Sequence, residues 1–390
     1  MYPSLYYLFS DLFGIHIEFL KAFQMFGCMV AISFLAASYT LSKELKRKEK
    51  EGLIGTFKET VTVGKKATII ELLESFLIAF VVGFKAVLIA LDFSDFLTDT
   101  QGYLLSTKGN WIGGIVLGGI YAYMRYREKE KQSLPEPKQI DQDLHPYQMV
   151  GNITLIAAGG GLLGAKIFDG LENYKDFFQH PAEYLFSFSG LTMYGGLIVG
   201  AFAVLYYASR KGLSLIHLID AAAPAIMIAY SIGRIGCQLA GDGDWGIANP
   251  APKPGWMSFL PNWMWAYDYP HNVTNAGHAI PGCMDVHCSV LDVPVFPTPF
   301  YETTMCAILF FILWGIRKKI KVPGVLFCIY LMMNGVERFL IELIRVNIKY
   351  NIFGTEITQA QLIAPILFLL GLFGIYYFNK RAKANGPIAS

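Results

Sequence analysis

Ile226-Met227-Ile228-Ala229-Tyr230-Ser231-Ile232-Gly233-Arg234-Ile235-Gly236-Cys237-Gln238-Leu239-Ala240 is an apolar run with one arginine between two glycines, and Gly241-Asp242-Gly243-Asp244-Trp245-Gly246 ends it in a Gly/Asp loop. A guanidinium is costly inside a bilayer, so one held at the lipid boundary reads as a ligand-binding group. Gly233 and Gly236 let the backbone approach whatever Arg234 holds. Planar, permanently charged and forked, a guanidinium suits phosphate. The stretch predicts a membrane protein that handles a lipid phosphate.

The rest of the chain agrees with a membrane setting. It has 390 residues, 54% hydrophobic and only 16% charged, where an ordinary soluble protein carries about 25% charged residues. Mean hydropathy is +0.41, and several apolar stretches reach the roughly 20 residues that cross a bilayer. This excludes a soluble enzyme with an anchor and predicts an all-α polytopic membrane protein, read as a single integral membrane domain over 1–390. The net charge of +2 carries no signal for nucleic acid. Nine spans are predicted, at 15–41, 68–92, 111–124, 147–168, 191–209, 216–240, 299–316, 322–344 and 359–378. The third is short and glycine-rich (Gly113, Gly114, Gly118, Gly119), which favours close helix packing.

Basic residues segregate between these spans. Lys43, Lys46, Arg47, Lys48 and Lys50 follow the first, and Arg125, Arg127, Lys129 and Lys131 the third. Arg210 and Lys211 follow the fifth, Arg317, Lys318, Lys319 and Lys321 the seventh, and Lys380, Arg381 and Lys383 the ninth. The positive-inside rule then puts the N-terminus outside and the C-terminus in the cytoplasm. No basic segment precedes the first apolar run, so a cleaved signal peptide is not expected. Residues 241–298, rich in Pro, Trp and Gly, are predicted to form a small outer head, with Trp256, Trp263, Trp265 and Tyr267 suited to the water–lipid interface.

Charged residues inside the spans are the candidates for chemistry. Arg338, Glu342 and Arg345 share one helix face near the outer end of the eighth span. They read either as a structural ion pair or as a second phosphate clamp opposite Arg234, with Glu342 orienting an arginine. Phe296 to Glu302 opens the seventh span; its prolines and Glu302 fit a helix start. Tyr194, Gly195 and Gly196 open the fifth, where the glycines serve packing or the tyrosine points into a site. Lys166 either snorkels or adds positive charge to the same site. Asp220 reads as the cap of the sixth span, and Glu71, Glu74 and Lys85 as an internal ion-pair set. Cys28, Cys306 and Cys328 read as small apolar residues. Cys283 and Cys288 favour a disulfide in the outer head over a metal site with His278 and His287, for which no ligand spacing is recognisable. Cys237 lacks an evident activating base.

In this order, the motifs resemble those of the prolipoprotein diacylglyceryl transferase family. Gly233 to Gly246 is similar to the family's G-R-x-G-N-F-x-N-x-E-x-x-G loop, and Tyr194 to Ile198 to its H-G-G-L-I-G element. Phe296 to Glu302 resembles H-P-[ST]-x-L-Y-E, Arg338 to Arg345 resembles R-x-x-x-E-x-x-R, and Asp220 to Pro224 resembles D-x-x-A-P. The family's histidine is Tyr194 here, its signature asparagines are Cys237 and Ala240, its glutamate is Asp242, and a first-span tyrosine is Phe26. Residues 43–146 add two spans to the family's usual seven.

The resemblance implies transfer of a diacylglyceryl group from phosphatidylglycerol to the thiol of a prolipoprotein's lipobox cysteine. A thioether forms and glycerol 1-phosphate leaves, in the first step of lipoprotein maturation at the bacterial inner membrane. Arg234, Arg338, Glu342 and Tyr194 are the implied catalytic residues. Gly233, Gly236, Gly195, Gly196, Asp242, Gly246, Tyr301, Glu302, Arg345 and Lys166 are the implied substrate contacts, with no metal and no cofactor. The alternatives are a membrane transporter and a relative that binds lipid or lipobox peptide without transfer.

Overall fold

The computed structural model describes residues 1–384 apart from 99, 180–191, 348 and 353–354. The chain is mostly helical. Its first helices are α1 (Leu5–Phe13), α2 (Met25–Lys50), α3 (Ile69–Leu91), α4 (Phe93–Thr98), α5 (Thr100–Leu105) and α6 (Trp111–Lys131). Then come α7 (Val150–Glu172), α8 (Tyr174–Gln179), α9 (Met193–Arg210) and α10 (Leu215–Ala240). The last are α11 (Thr298–Ile316), α12 (Val325–Glu342) and α13 (Gln359–Ala384). Three two-stranded ribbons pair β1 (Phe57–Val63) with β2 (Lys138–Leu144), β3 (His278–Ala279) with β4 (Ser289–Val290), and β5 (Lys349–Ile352) with β6 (Thr355–Thr358).

Every predicted span is represented by a helix. Among the described residues, six helices are long and apolar enough to cross a bilayer: α2, α3, Pro146–Glu172, α10, α11 and α13. The other three carry more polarity. Glu337, Arg338 and Glu342 lie on α12, α6 ends in a charged turn, and α9 is an 18-residue helix ending in Arg210.

The first span differs from its predicted bounds. It starts at Met25, because residues 5–13 form a separate helix stopped by Gly14 in the left-handed conformation. The chain then doubles back, with the Leu5 and Met25 amides donating to the Phe23 and Pro3 carbonyls. Consequently Lys43 to Lys50 lie on α2 itself and do not trail it.

The described residues fall into two compact units. The first comprises Met1–Gly55, Pro146–Thr154 and Leu213–Ser390. In it α10 packs against α2, α11 and α12, and α12 packs on α13. Ala223, Met227, Cys306, Leu313 and Leu326 form a fully buried cluster. Gly335 and Gly371 bring α12 and α13 together, since a Cβ on either would meet a backbone carbonyl of the other helix at 2.6–2.7 Å. Asp220 is not the cap of its own helix. It lies inside α10, is 3% exposed, and accepts the Gly324 and Phe327 amides at 2.7 and 2.9 Å, so it caps α12. The helix it was expected to cap begins a turn earlier, at Leu215.

Residues 241–298, the segment predicted as a head, carry aromatic pairs such as Trp245–Tyr269 and Trp265–Phe296. Buried Asn272 ties it together, donating to the carbonyls of Tyr269, Ala276 and Ser289. Cys283 and Cys288 form a disulfide, as expected. Trp256 is 71% exposed, whereas Trp265 and Tyr267 are turned into the head.

The second unit comprises Thr56–His145 and Leu155–Gly212. Its β1–β2 ribbon runs antiparallel from Phe57↔Leu144 to Val63↔Lys138. Thr68 and Glu71 start α3 with reciprocal side chain–backbone hydrogen bonds. Gly83, Gly113, Gly114 and Gly118 let α3 and α6 touch, with Phe76 and Phe80 against the α6 glycines. The expected ion-pair set on α3 does not form. Lys85 lies 14 residues from Glu71, about 21 Å along a helix, and instead donates to the carbonyls of Tyr103, Ser106 and Lys108.

Candidate active site

The site grows from the end of α10. Gly241 (φ 65°) stops that helix in the left-handed conformation, which glycine adopts without a Cβ penalty. The loop after it turns back toward Arg234. Gly246 lets the loop pass tightly between elements, since a Cβ there would meet the Ile344 carbonyl at 2.6 Å and Phe296 Cβ at 2.9 Å. The Gly246 and Ile247 amides donate to Phe296 and Ile344 carbonyls at 2.8 Å, and Thr298 Oγ1 donates to the Asp244 carbonyl at 2.7 Å. The loop is thus clasped by the start of α11 and the end of α12.

This clasp gathers three guanidiniums around one carboxylate. Glu302, in the opening turns of α11, is 0% exposed. Arg234 pairs with both Glu302 and Asp244. Arg345 Nη1 is 3.1 Å from Glu302 Oε1, and its Nη2 pairs with Asp244. Arg338 lies 3.6 Å from Glu302 and 3.7 Å from Glu342, too far for a hydrogen bond to either. Its Nε and Nη1 are buried without a hydrogen-bond partner among the described residues. Glu342 accepts from Asn347 Nδ2 at 2.7 Å, and Tyr230 donates its hydroxyl to Glu302 at 3.2 Å. Ser231 Oγ donates to the Thr303 carbonyl at 2.9 Å, fixing α10 against α11 one turn below Arg234.

Chemically, guanidinium donors of this kind are what an anion binds. Carboxylates hold Arg234 and Arg345 in place, while Arg338 keeps donors unfilled in a buried setting where an unmade hydrogen bond is costly.

The loop aspartates have divergent environments. Burial and the charge of Asp244 together push the Asp242 carboxyl up from its ordinary value. Burial acts the same way on Asp244, but the Arg234 and Arg345 charges and hydrogen bonds outweigh it and hold that carboxyl below the usual range. Cys237, Asp242 and Asp244 are, among the described residues, the group close enough to share a metal ion. Two guanidiniums already occupy Asp244 and oppose a cation there.

Arg234, Glu302, Arg338, Glu342, Arg345, Asp242 and Gly246 therefore come together in the first unit. Gly233 faces open space, whereas Gly236 admits α2, with Met29 Cβ 3.0 Å from where its own Cβ would be. Tyr301 donates to the Met264 carbonyl at 2.9 Å and so ties α11 to the head. Tyr194, Gly195, Gly196 and Lys166 belong to the second unit. There Gly195 and Gly196 pack on Gly164 and Gly161 of α7, Lys166 is 7% exposed, and Tyr194 is half-buried.

Two residues of the cluster, Tyr230 and Asp244, and one beside it, Glu337, were not singled out in the sequence. Asp244 had a visible signal, an acid two residues after Asp242 and ten after Arg234. Glu337, beside Arg338, is 1% exposed, and neither carboxyl oxygen has a hydrogen-bond partner among the described residues.

A family profile described as prolipoprotein diacylglyceryl transferase matches residues 103–377. A protein named phosphatidylglycerol–prolipoprotein diacylglyceryl transferase from Clostridium tetani is 27% identical over 223 residues, covering 57% of this chain and 78% of its own. Proteins of the same name are 28% identical in Symbiobacterium thermophilum, covering 64% of this chain and 84% of their own, and 28% in Dehalococcoides mccartyi, covering 61% and 81%.

Proposed function

The chain belongs to the prolipoprotein diacylglyceryl transferase family, and from that premise we infer that it moves the diacylglyceryl group of phosphatidylglycerol onto the cysteine thiol of a prolipoprotein. The family match favours this over the transporter reading. The observation that carries the chemistry is Arg338, with buried, unfilled donors beside two further arginines on Glu302.

The thiolate sulfur attacks the glyceryl carbon, the C–O bond to phosphate breaks, and glycerol 1-phosphate leaves with the electron pair. Charge grows on the departing phosphate. Arg338 and Arg234 stabilise it from fixed positions in a water-poor setting. Glu302, Asp244 and Glu342 hold the arginines, and Gly233 leaves room beside Arg234 for a headgroup. Tyr194, Gly195, Gly196 and Lys166 are assigned to the substrate by their place in the family motifs. Tyr194 stands where the family motif has a histidine.

In this reading the enzyme is a nine-span protein of the bacterial inner membrane, with a seven-span core and an inserted pair within 43–146. Residues 241–298 form the outer head, and the peptide substrate is the lipobox end of a signal peptide. The test is transfer of labelled diacylglycerol from phosphatidylglycerol to a lipobox peptide by purified protein. Arg338→Ala and Arg234→Ala are each expected to cost about a hundred- to a thousandfold, the effect of removing a donor to developing negative charge. A folded wild type that binds the lipid without transferring it would overturn the reading.

A further inference from the structure

Glu337 has no place in the ion-pair cluster. Three guanidiniums are matched by the carboxylates of Glu302, Asp244 and Glu342, so Glu337 is not needed for neutrality. It is 1% exposed, and neither carboxyl oxygen has a hydrogen-bond partner among the described residues. Burying an unpaired acid is costly, and an apolar side chain of similar volume avoids that cost. Such a group calls for a role outside packing.

Its surroundings define the role. Glu337 lines a cavity of about 480 Å³ between α11, α12 and α13, whose other walls include Met305, Leu309, Met333, Val336 and Phe368. The titratable and charged groups around the carboxyl are Glu302 and Cys306 from α11, Tyr230 and Arg234 from α10, and Tyr330, Arg338 and Arg345 from or just after α12. The residues of α13 on the cavity, Phe368 and Ile375, are apolar. Glu337 therefore lies between the arginine cluster and an apolar cavity, with its carboxyl oxygens buried in the wall.

We propose that Glu337 is the proton acceptor for the substrate thiol, which reaches it from the apolar cavity between α11, α12 and α13. This rests on the transferase reading above. The S–H bond breaks with its proton passing to a Glu337 oxygen, and the sulfur pair forms the C–S bond to the glyceryl carbon. The C–O bond breaks toward phosphate, and the proton then returns to the departing phosphate. Glu302, Asp244 and Glu342 are poorer acceptors, because arginines, Tyr230 or Asn347 already occupy them, and Asp242 is not among the residues lining the cavity.

The experiment measures transfer by full-length protein from pH 6 to pH 10 for wild type, Glu337→Gln and Glu337→Asp. A lost general base costs about a hundredfold or more, so Glu337→Gln is expected to fall by that factor at neutral pH with lipid binding unchanged. Its rate should then climb with pH as the substrate thiol, with a free pKa near 8.5, ionises unaided. Glu337→Asp should keep the wild-type profile shape. A lipobox peptide with selenocysteine, whose selenol ionises below neutral pH, should rescue Glu337→Gln and leave Arg338→Ala slow. A Glu337→Gln enzyme with the wild-type pH profile, whether fast or uniformly slow, would overturn the proposal and make the residue structural. Absence of transfer by wild type would instead sink the transferase reading.

Discussion

Asp244 is a short side chain that holds two long ones. It pairs with both Arg234 and Arg345 and is itself hung from Thr298 through its carbonyl. Asp244→Asn keeps the shape but weakens two charge-assisted bonds, and is expected to cost about 1–3 kcal/mol of stability. The pH dependence follows from the lowered folded value. Between that value and the ordinary aspartate value of about 3.9, the unfolded chain binds a proton that the folded chain does not, so stability rises with pH. The contribution is complete above about pH 4 and is lost as pH falls through the folded value. Thermal midpoints measured from about pH 3 to pH 7 should therefore fall more steeply on acidification in wild type than in Asp244→Asn. At this scale Arg234, Glu302, Arg338, Glu342 and Arg345 were legible, because charge inside an apolar run is conspicuous. Asp244 was not, because Asp-Gly-Asp also reads as an ordinary turn. Glu337 was hidden by its neighbour: adjacent helical residues diverge by about 100° around the axis, and only packing decides which wall each meets.

Helices were easier to find than their contacts. Hydropathy exposes an apolar run, but the partner of a buried polar group is set by elements distant in sequence. Asp220 caps α12, 104 residues away. Lys85 serves the loop before α6 and ignores the acids of its own helix. Asp220→Asn should weaken the start of α12 by about 1 kcal/mol, the usual worth of a helix cap, read as a lowered thermal midpoint. Close glycine contacts make a second case. A Cβ on Gly164 would overlap the Gly195 carbonyl and Val199, and a backbone carbonyl cannot swing aside. Gly164→Leu should cost about 1–3 kcal/mol by overpacking, whereas Gly159→Leu, where nothing lies within 4 Å of a Cβ, should leave the midpoint unchanged.

At the scale of the whole molecule, the alternation of basic residues predicts a topology with the N-terminus outside and the C-terminus in the cytoplasm. Cysteines introduced at exposed Ser258 in the 241–298 segment and at Lys383 at the end of α13 should report opposite faces. With the free cysteines replaced, an impermeant thiol reagent applied to intact cells is expected to label the first and spare the second until the membrane is opened. Labelling of both, or the reverse order, would invert the topology. The β1–β2 ribbon closes off the stretch of chain that holds α3 to α6. Phe57 and Leu144 are directly paired, so the chain leaves and returns at points about 5 Å apart. In terms of chain path the segment is a closed detour. On the nine-span reading it makes two crossings, an even number, and returns the backbone to the face it left. A short turn across Phe57 and Leu144 would bypass it without re-threading any other helix, so on that reading the segment is separable from the rest of the path as one unit.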